Sequence, residues 1–309
     1  MNNIPTFYDP ERIGKLFYPD TQLISKQAEE AGLKAAQSDD PQVMLLLVDM
    51  QIDFCHTQGA LYTPGALDDI KRVIDFIFRN ASRLSHITCS MDSHYPFQIF
   101  HPPWWVDADG KHPPPFTVIT KEDVQQGKWI PVREEEWSRA YVEKLEQKSK
   151  KQLLIWPYHV PVGAAGHLLD PELWSVVFWH GIARQNQPVF WQKGTIPETE
   201  HYSVLQPEIP VTDKPESGLS TDFVGLLNSF DYVVIAGEAA SHCVQETVKD
   251  IVAFYGEGTN ELKKFIVLED CTSPVQHPEI DFDKLTREQF ETFKKQGVSF
   301  QKSTAPLPF

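Results

Sequence analysis

Three polar residues and one cysteine, each placed after an apolar run, give this sequence the parts of an activated nucleophile. Asp49, Asp92 and Lys193 end three such runs, and Cys243 follows a fourth after a turn of small residues. A carboxylate, an ammonium and a thiol at one site can generate a nucleophilic sulfur. An acid after a strand is also commonly a turn residue, and a lone lysine is commonly solvated. The interpretation therefore depends on the carboxylate, the lysine and the cysteine occurring together.

The position of Cys243 distinguishes it from the other cysteines of the chain. It begins a segment with helical periodicity, directly after residues 239–242. Backbone N–H groups at a helix N-terminus are unpaired and carry partial positive charge, which favours a thiolate and offers donors to an oxyanion. We therefore expect Cys243 to be a nucleophile. The remaining cysteines, Cys55, Cys89 and Cys271, are too scattered for a disulfide framework and are expected to be reduced.

The elements that must position these residues alternate along the chain. Apolar runs predict strands at 43–49, 86–92, 152–156, 189–193, 232–237 and 265–270, with a weaker one at 298–301. Amphipathic segments predict helices at 67–84, 138–150, 171–185, 221–229, 243–255 and 286–296. This pattern predicts an α/β fold with a doubly wound, mostly parallel sheet of about six strands and flanking helices. Such sheets bind ligands beyond the carboxyl ends of their strands, where the reactive residues fall.

A chain of 309 residues could form one large α/β domain or two smaller ones, and we expect one domain with insertions. We expect a core domain at 41–302, an N-terminal extension at 1–40 that packs on it, and an insertion at about 102–150. Residues 102–137 are rich in proline and tryptophan, which favours an irregular segment that could serve as a lid. Trp104 and Trp105 could narrow the pocket entrance or simply pack the insertion onto the core.

Charge and composition disfavour several classes of binding partner. The formal net charge of -15 argues against binding to nucleic acid or to an anionic membrane, because both require clustered Lys and Arg. No apolar run approaches the length of a bilayer span, and the first twenty residues lack the pattern of a secretory signal. We expect a cytoplasmic enzyme with a small-molecule substrate that assembles as a homo-oligomer.

Taken in order, the motifs resemble those of the isochorismatase-like cysteine hydrolases, and within them the nicotinamidases and pyrazinamidases. The resemblance covers residues 43 to 275. It is carried by six motifs: Leu45 to Asp49 with Gln51, Asp53 and Phe54; Asp92-Ser93-His94 with His101; Trp156-Pro157-Tyr158-His159; Lys193-Gly194; Tyr202-Ser203; and Gly237 to Val244. It implies a Rossmann-like, three-layer fold.

The resemblance also implies roles for single residues. Asp49, Lys193 and Cys243 match the catalytic triad of the family, and Phe54 and Trp156 match the walls of its aromatic pocket. A cis peptide between Glu238 and Ala239 is implied, with the N–H groups of Ala239 and Cys243 forming the oxyanion hole. The implied metal ligands are Asp92, His94 and His159, with His101 as the additional histidine that some nicotinamidases use.

These roles describe an amide hydrolysis. Asp49 would accept the thiol proton, and Cys243 would attack a carboxamide carbon to form a thioester that water then cleaves. The implied cofactor is one divalent transition metal: zinc, with iron or manganese as alternatives. Relatives that cleave aliphatic ureas or amides generally lack the Asp-x-His pair, so its presence favours nicotinamide, which would give nicotinate and ammonia.

Two alternatives remain open at this point. One is a related amidohydrolase that acts on another amide, carbamoyl or ureido compound. The other is a non-catalytic binding protein whose extensions form an oligomer surface, which the joint presence of acid, lysine and cysteine disfavours. Isochorismate hydrolysis is disfavoured because relatives with that activity do not use the cysteine. The chain also departs from the family after His159, where residues 160–166 should keep the ligand but alter the adjacent pocket wall.

Overall fold

A six-stranded sheet presents the predicted strand-end residues. In the computed structural model, which describes residues 4–149, 151–276 and 280–309, every strand pairing in this sheet is parallel. The described strands are β1 Val43–Val48, β2 His86–Asp92, β3 Trp105–Val106, β4 Val118–Ile119, β5 Ile130–Pro131, β6 Leu153–Leu154, β7 Val189–Lys193, β8 Tyr232–Gly237, β9 Phe265–Leu268 and β10 Ser299–Gln301.

The sheet order is β10-β9-β8-β1-β2-β7, with β1 near the centre. From β1 the chain builds outward through β2 and β7, and then returns to place β8, β9 and β10 on the other side. The order therefore reverses between β1 and β8, and such a switch point opens a crevice at the carboxyl ends of the strands. Asp49 follows β1 and Cys243 lies beyond β8, so both border that crevice.

Helices cover both faces of the sheet. They are α1 Thr21–Glu30, α2 Ile52–Cys55, α3 Ala66–Asn80, α4 Lys121–Gln125, α5 Glu135–Lys144, α6 Pro171–Ala183, α7 Thr221–Asn228, α8 Cys243–Tyr255 and α9 Phe282–Gln296. All six side chains of β1 are buried. Val43, Leu45 and Leu47 pack with α3 and α6. Met44, Leu46 and Val48 pack with α7, α8 and α9. This alternation confirms the predicted three-layer α/β fold.

One predicted strand of the sheet is wrong. The apolar run at 152–156 supplies only β6, which pairs antiparallel with β4 in a separate two-stranded sheet. The run is apolar because Leu153 and Ile155 are buried in the core of the insertion rather than against the helices that flank the central sheet. The sixth strand of the central sheet is β10 instead, from the segment predicted as the weaker strand.

The insertion after β2 has its own hydrophobic core, which holds short elements joined by irregular stretches. It contains β3 to β5, α4 and α5, and α5 continues into a π-helical turn, Leu145–Ser149. Residue 150, the predicted end of this helix and of the insertion, lies outside the described residues. Trp104 and Trp105 are fully buried in the insertion core, which excludes them from the pocket entrance.

The segment before β1 lies against α6. Ile24 and Ala28 of α1 are buried, and Arg12 forms an ion pair of 2.9 Å with the buried Glu172. Residues 1–3 of the predicted extension lie outside the described residues. Among the helices that the structure describes, none is long and apolar enough to cross a membrane.

Candidate active site

One buried ammonium group joins the predicted acid, the predicted nucleophile and a predicted metal-ligating carboxylate. Lys193 Nζ lies 2.9 Å from Asp49 Oδ2 and 3.0 Å from Asp92 Oδ1. The same nitrogen lies 3.6 Å from Cys243 Sγ. Lys193 reaches this point because β7 pairs in register with β2, which sets Lys193 opposite Asp92. The structure therefore brings the three predicted catalytic side chains together at one rim of the sheet.

Ser90 fixes the orientation of the Asp49 carboxylate. The Ser90 hydroxyl donates to Asp49 Oδ1 at 2.6 Å and accepts the Asp49 backbone N–H at 3.1 Å. Asp49 takes a left-handed backbone conformation with φ of 47° where β1 ends. With Oδ1 held by the serine, Oδ2 faces Lys193. Sequence reasoning missed Ser90, although a hydroxyl in a fully buried strand was an available signal.

The protonation of this group is controlled by burial. Burial raises the pKa of the Cys243 thiol well above its ordinary value, and the Lys193 ammonium opposes that rise while the Asp49 carboxylate adds to it. Burial also raises the pKa of Asp49 against the opposing influence of Lys193. Burial lowers the pKa of Lys193, but the Asp49 and Asp92 carboxylates outweigh it and raise that pKa above its ordinary value. A raised pKa favours the thiol form of Cys243, which agrees with the predicted role of Asp49 as the acceptor of the thiol proton.

The turn from β8 to α8 leaves backbone donors beside the nucleophile. The Glu238–Ala239 peptide is cis, as the resemblance implies. Gly237 has a φ of 122°, and a Cβ there would collide with the backbone of Val48. The Glu238 N–H donates to the Val48 carbonyl at 2.7 Å, which ties the turn to β1. Within the described ranges no acceptor pairs with the N–H of Ala239 or of Cys243, so both are available to an oxyanion.

Asp92, His94 and His159 form the predicted metal-ligand cluster, with ligand atoms within 4.8 Å of one another. Nε2 of His94 lies 2.9 Å from Asp92 Oδ2, and Nε2 of His159 lies 4.0 Å from the same oxygen. Nδ1 of His94 faces the Gly194 carbonyl at 3.2 Å, and Nδ1 of His159 faces the Pro157 carbonyl at 2.8 Å. Donation from Nδ1 leaves the Nε2 lone pairs turned toward a carboxylate, an arrangement that a bound cation stabilises.

The chemistry of this donor set fits a divalent transition metal. One carboxylate and two imidazoles leave coordination positions for water or a ligand. Burial lowers the pKa of His159 to about 3, which keeps its imidazole neutral and able to coordinate. Gln51 fixes Asp92 from behind, since its amide exchanges two hydrogen bonds of 2.8 Å with the Asp92 backbone.

His101 lies beside this cluster but outside it. Its ring centroid is 6.0 Å from that of His94 and 6.4 Å from that of His159. Both of its ring nitrogens are buried, and neither has a hydrogen-bond partner in the part of the chain that the structure describes. The structure therefore brings together three of the four predicted ligands.

A pocket lies between the metal-ligand cluster and Cys243. Phe54 and Trp156, the predicted wall residues, both line it and stand edge-on to His159 with ring centroids 5.6 Å and 6.2 Å away. Sequence reasoning did not single out several other lining residues: Leu61, Thr63, Phe100, Glu200, His201, His242 and Val275.

Glu200 connects the pocket wall to the insertion. Its Oε1 accepts hydrogen bonds from Tyr202 OH at 2.7 Å and from Trp156 Nε1 at 3.2 Å. Its Oε2 accepts from the hydroxyl of Tyr141 on α5 at 3.2 Å. Burial raises the pKa of Glu200 to about 7. The block Glu198-Thr199-Glu200-His201, directly before the family-like Tyr202-Ser203, was the sequence signal that could have revealed this part of the pocket.

The segment after His159 does not alter the pocket wall as expected, because none of residues 160–166 lines the pocket. The His94 N–H donates to the Val160 carbonyl at 3.2 Å, and the Val162 N–H donates to the His94 carbonyl at 3.0 Å. Asp53 Oδ2 accepts the Val160 N–H at 2.7 Å. The unusual segment therefore supports the backbone of His94 from outside the pocket.

Comparison with solved structures shows that the chain shares its fold with several nicotinamidases. The yeast nicotinamidase Pnc1p has a TM-score of 0.57 and 18% identity, covering 84% of this chain and 99% of that chain. A nicotinamidase and pyrazinamidase of Acinetobacter baumanii has a TM-score of 0.53 and 18% identity, covering 86% and 99%. PnC1 of L. infantum, solved with nicotinate, has a TM-score of 0.52 and 19% identity, covering 87% and 96%.

No protein-family model matches the chain, and no curated protein matches it. At 18 to 19% identity these similarities establish the fold, and they confirm the suspected resemblance at that level.

Proposed function

We propose that this protein is a metal-dependent cysteine amidohydrolase that converts nicotinamide and water to nicotinate and ammonia. The observation that supports this most directly is the position of Lys193 Nζ, which contacts Asp49, Asp92 and Cys243 at once. One cation therefore couples the acid and nucleophile to the metal-ligand cluster. The substrate carbonyl and an atom of its ring can then be held on the two sides of a single pocket.

In the first half of the reaction, Asp49 takes the proton from Cys243 Sγ as the sulfur attacks the carboxamide carbon. The negative charge lies on the Asp49 carboxylate before the proton transfer and on the sulfur of Cys243 after it. Lys193 stabilises the charge at both positions. The carbonyl oxygen becomes an oxyanion held by the N–H groups of Ala239 and Cys243; loss of one such donor typically raises a barrier by about 3 kcal/mol. Asp49 then returns the proton to the amide nitrogen, the C–N bond breaks, and ammonia leaves a thioester.

In the second half, water attacks the thioester carbon while Asp49 accepts a proton from it. The C–S bond breaks, the sulfur of Cys243 regains a proton and the carboxylic acid is released as nicotinate. The same oxyanion donors serve both halves, since the oxygen occupies the same position in both tetrahedral intermediates.

The pocket residues orient the ring. Phe54 and Trp156 supply aromatic surfaces of the kind that hold a flat heteroaromatic ligand. A metal held by Asp92, His94 and His159 would supply a Lewis-acidic anchor for a ring nitrogen. This is the reason for proposing a nitrogen-containing aromatic amide over an aliphatic one.

Ammonia release from nicotinamide tests the proposal. We expect the wild type to release ammonia and Cys243→Ala to lose at least about a thousandfold in kcat while remaining folded. Cys89→Ala, which removes a buried thiol from β2, is the matched control. The fraction of this variant that folds should have wild-type activity. Elemental analysis should find about one transition-metal ion per chain, and chelation should abolish turnover.

A substrate panel with benzamide, carbamoyl and ureido compounds decides among the alternatives. Ammonia release from a carbamoyl or ureido compound but not from nicotinamide would support the other amidohydrolase. Absence of turnover on the whole panel, with Cys243 inert to a thiol reagent, would support a binding protein. Wild-type turnover of nicotinamide by Cys243→Ala would overturn the mechanism.

A further inference from the structure

His201 lines the pocket but has no part in the mechanism above. It follows β7 on the segment that also carries Glu200 and Tyr202. Its backbone carbonyl accepts a hydrogen bond from Lys193 Nζ at 2.9 Å. The residue is therefore fixed to the same ammonium that contacts Cys243, which places its ring near the reacting groups.

The hydrogen bonds of the ring determine its tautomer. The backbone N–H of Gly194 donates to His201 Nδ1 at 3.3 Å, so Nδ1 is an acceptor and carries no proton. In a neutral imidazole the proton then resides on Nε2. Burial, together with the Lys193 charge, lowers the pKa of His201 to about 3, which keeps the ring neutral.

The resulting Nε2–H is a buried donor without a partner among the residues that the structure describes. A protonated Nε2 does not coordinate a metal, and His201 stands outside the cluster of Asp92, His94 and His159. A buried donor left unpaired costs free energy that a bound acceptor restores. His201 lines the pocket, and its ring therefore carries an unpaired donor that neither the oxyanion hole nor the metal ligands account for.

We propose that His201 is a specificity-determining residue whose Nε2–H donates to an acceptor atom on the substrate ring. This inference rests on the proposed function, and it specifies the substrate class further. The pocket should favour heteroaromatic carboxamides whose ring has a second acceptor besides the nitrogen that faces the metal ligands. Nicotinamide, which lacks that second acceptor, remains a substrate held by the oxyanion donors and the aromatic walls, but its ring does not engage His201.

Nicotinamide and pyrazinamide are a suitable probe pair, since they differ by one ring atom, C–H in one and N in the other. We expect His201→Phe to lower kcat/KM for pyrazinamide at least about tenfold more than for nicotinamide. His201→Gln keeps both an acceptor and a donor on its amide, and should hold the wild-type ratio within about threefold. Thermal melting of each variant verifies folding.

Binding of the two product acids, pyrazinoate and nicotinate, gives a readout that does not depend on turnover. Calorimetry should show the same change in their affinity ratio for His201→Phe. Nitrogen NMR of labelled histidine should show the Nε2–H tautomer in the wild type.

The outcomes separate the two proposals. Equal losses for both ligands in His201→Phe, or an Nδ1–H tautomer, would overturn the role of His201 whether or not ammonia is released. Absence of ammonia release from either amide, with a shifted affinity ratio for the acids, would overturn the proposed function and leave the recognition role supported.

Discussion

Asp92 and Lys193 face each other across two neighbouring strands, with Lys193 Nζ 3.0 Å from Asp92 Oδ1. The other oxygen of the same carboxylate faces the imidazoles of His94 and His159. Asp92 therefore divides its two oxygens between the Lys193 ammonium and the imidazoles of the predicted metal-ligand cluster. A change at Asp92 must affect both.

Asp92→Asn should lose the metal and the activity together. The amide keeps the shape of the side chain but removes the charge, and loss of even an outer-shell partner of a metal commonly costs about 10- to 100-fold in affinity. Elemental analysis of the purified variant should find well under one metal ion per chain. The control is Asp68→Asn, since that carboxylate is 66% exposed on α3. Full metal occupancy in Asp92→Asn would contradict the assignment of the ligand.

Gly194→Ala should abolish activity through a collision rather than through backbone strain. A Cβ at Gly194 would meet the Asp92 carboxylate and the His94 ring, and the residue has a φ of 79°. Gly110 provides the matched control because its φ is 78° and nothing lies near its Cβ position. Both variants should lose about 1 kcal/mol from the left-handed conformation, measured by chemical unfolding. Only Gly194→Ala should also lose metal and turnover.

Ser90→Ala should weaken both the base and the fold. The variant removes a 2.6 Å hydrogen bond to a buried carboxylate, and such bonds to charged groups contribute about 1.5–3 kcal/mol to stability. Without that donor the pKa of Asp49 rises further, so the acid limb of the kcat/KM profile should move to higher pH. Ser82→Ala, at an exposed position, is the control. An unchanged pH profile would argue against Asp49 as the base.

The buried side chain of Glu238 predicts that the free energy of unfolding falls as the pH rises. Burial raises the pKa of Glu238 well above its ordinary value, and the nearby Asp69 carboxylate adds to the rise. Asp69 accepts hydrogen bonds from Arg72 and Ser273, whereas Oε1 of the buried Glu238 has no hydrogen-bond partner among the described residues. The pKa of Glu238 is higher in the folded than in the unfolded protein, so its contribution to the free energy of unfolding is fully present below the ordinary glutamic acid pKa. That contribution is lost as the pH rises toward the pKa of the folded protein.

Glu238→Gln should therefore flatten the pH dependence of the free energy of unfolding between about pH 5 and 8. A tenfold difference in the acid dissociation constant between the folded and unfolded chain corresponds to about 1.4 kcal/mol, so denaturant unfolding at several pH values can resolve the change. Glu257→Gln, at an exposed position, should keep the wild-type slope. A slope unaffected by Glu238→Gln would show that Glu238 is not protonated in the folded protein.

The central sheet could be predicted from sequence because its inner strands β1, β2, β8 and β9 are buried on both faces. β2, β7 and β8 begin and end where the apolar runs do, and α8 begins at Cys243 as expected. The meeting of Asp49, Lys193 and Cys243 followed from topology alone, since parallel strands end at one edge. The prediction that residues 152–156 form a strand of the central sheet failed because this apolar run is buried in a different core. Periodicity reports that a segment is buried and gives no information about which core buries it.

The missed pocket residues have a different cause. Glu200 and His201 lie in a loop, where no periodicity marks the inward side chains, and their roles depend on partners distant in sequence such as Tyr141. The size of the burial effect on Cys243 also depends on the whole fold, whereas the helix N-terminus can be predicted from the local sequence. His101 was carried over by position, and its ring lies outside the ligand cluster.

The hydrogen bond from Tyr141 to Glu200 has a consequence for how the proposed activity of this protein can change. The nucleophile and its partners stand on the central sheet, whereas Trp156 and its supports belong to the separate core of the insertion. Substitutions in the insertion can reshape the aromatic wall without moving the sheet that holds the reacting groups. Substrate range and chemical step are therefore separable traits in this chain, and directed evolution for new amides should begin among residues that never touch the substrate.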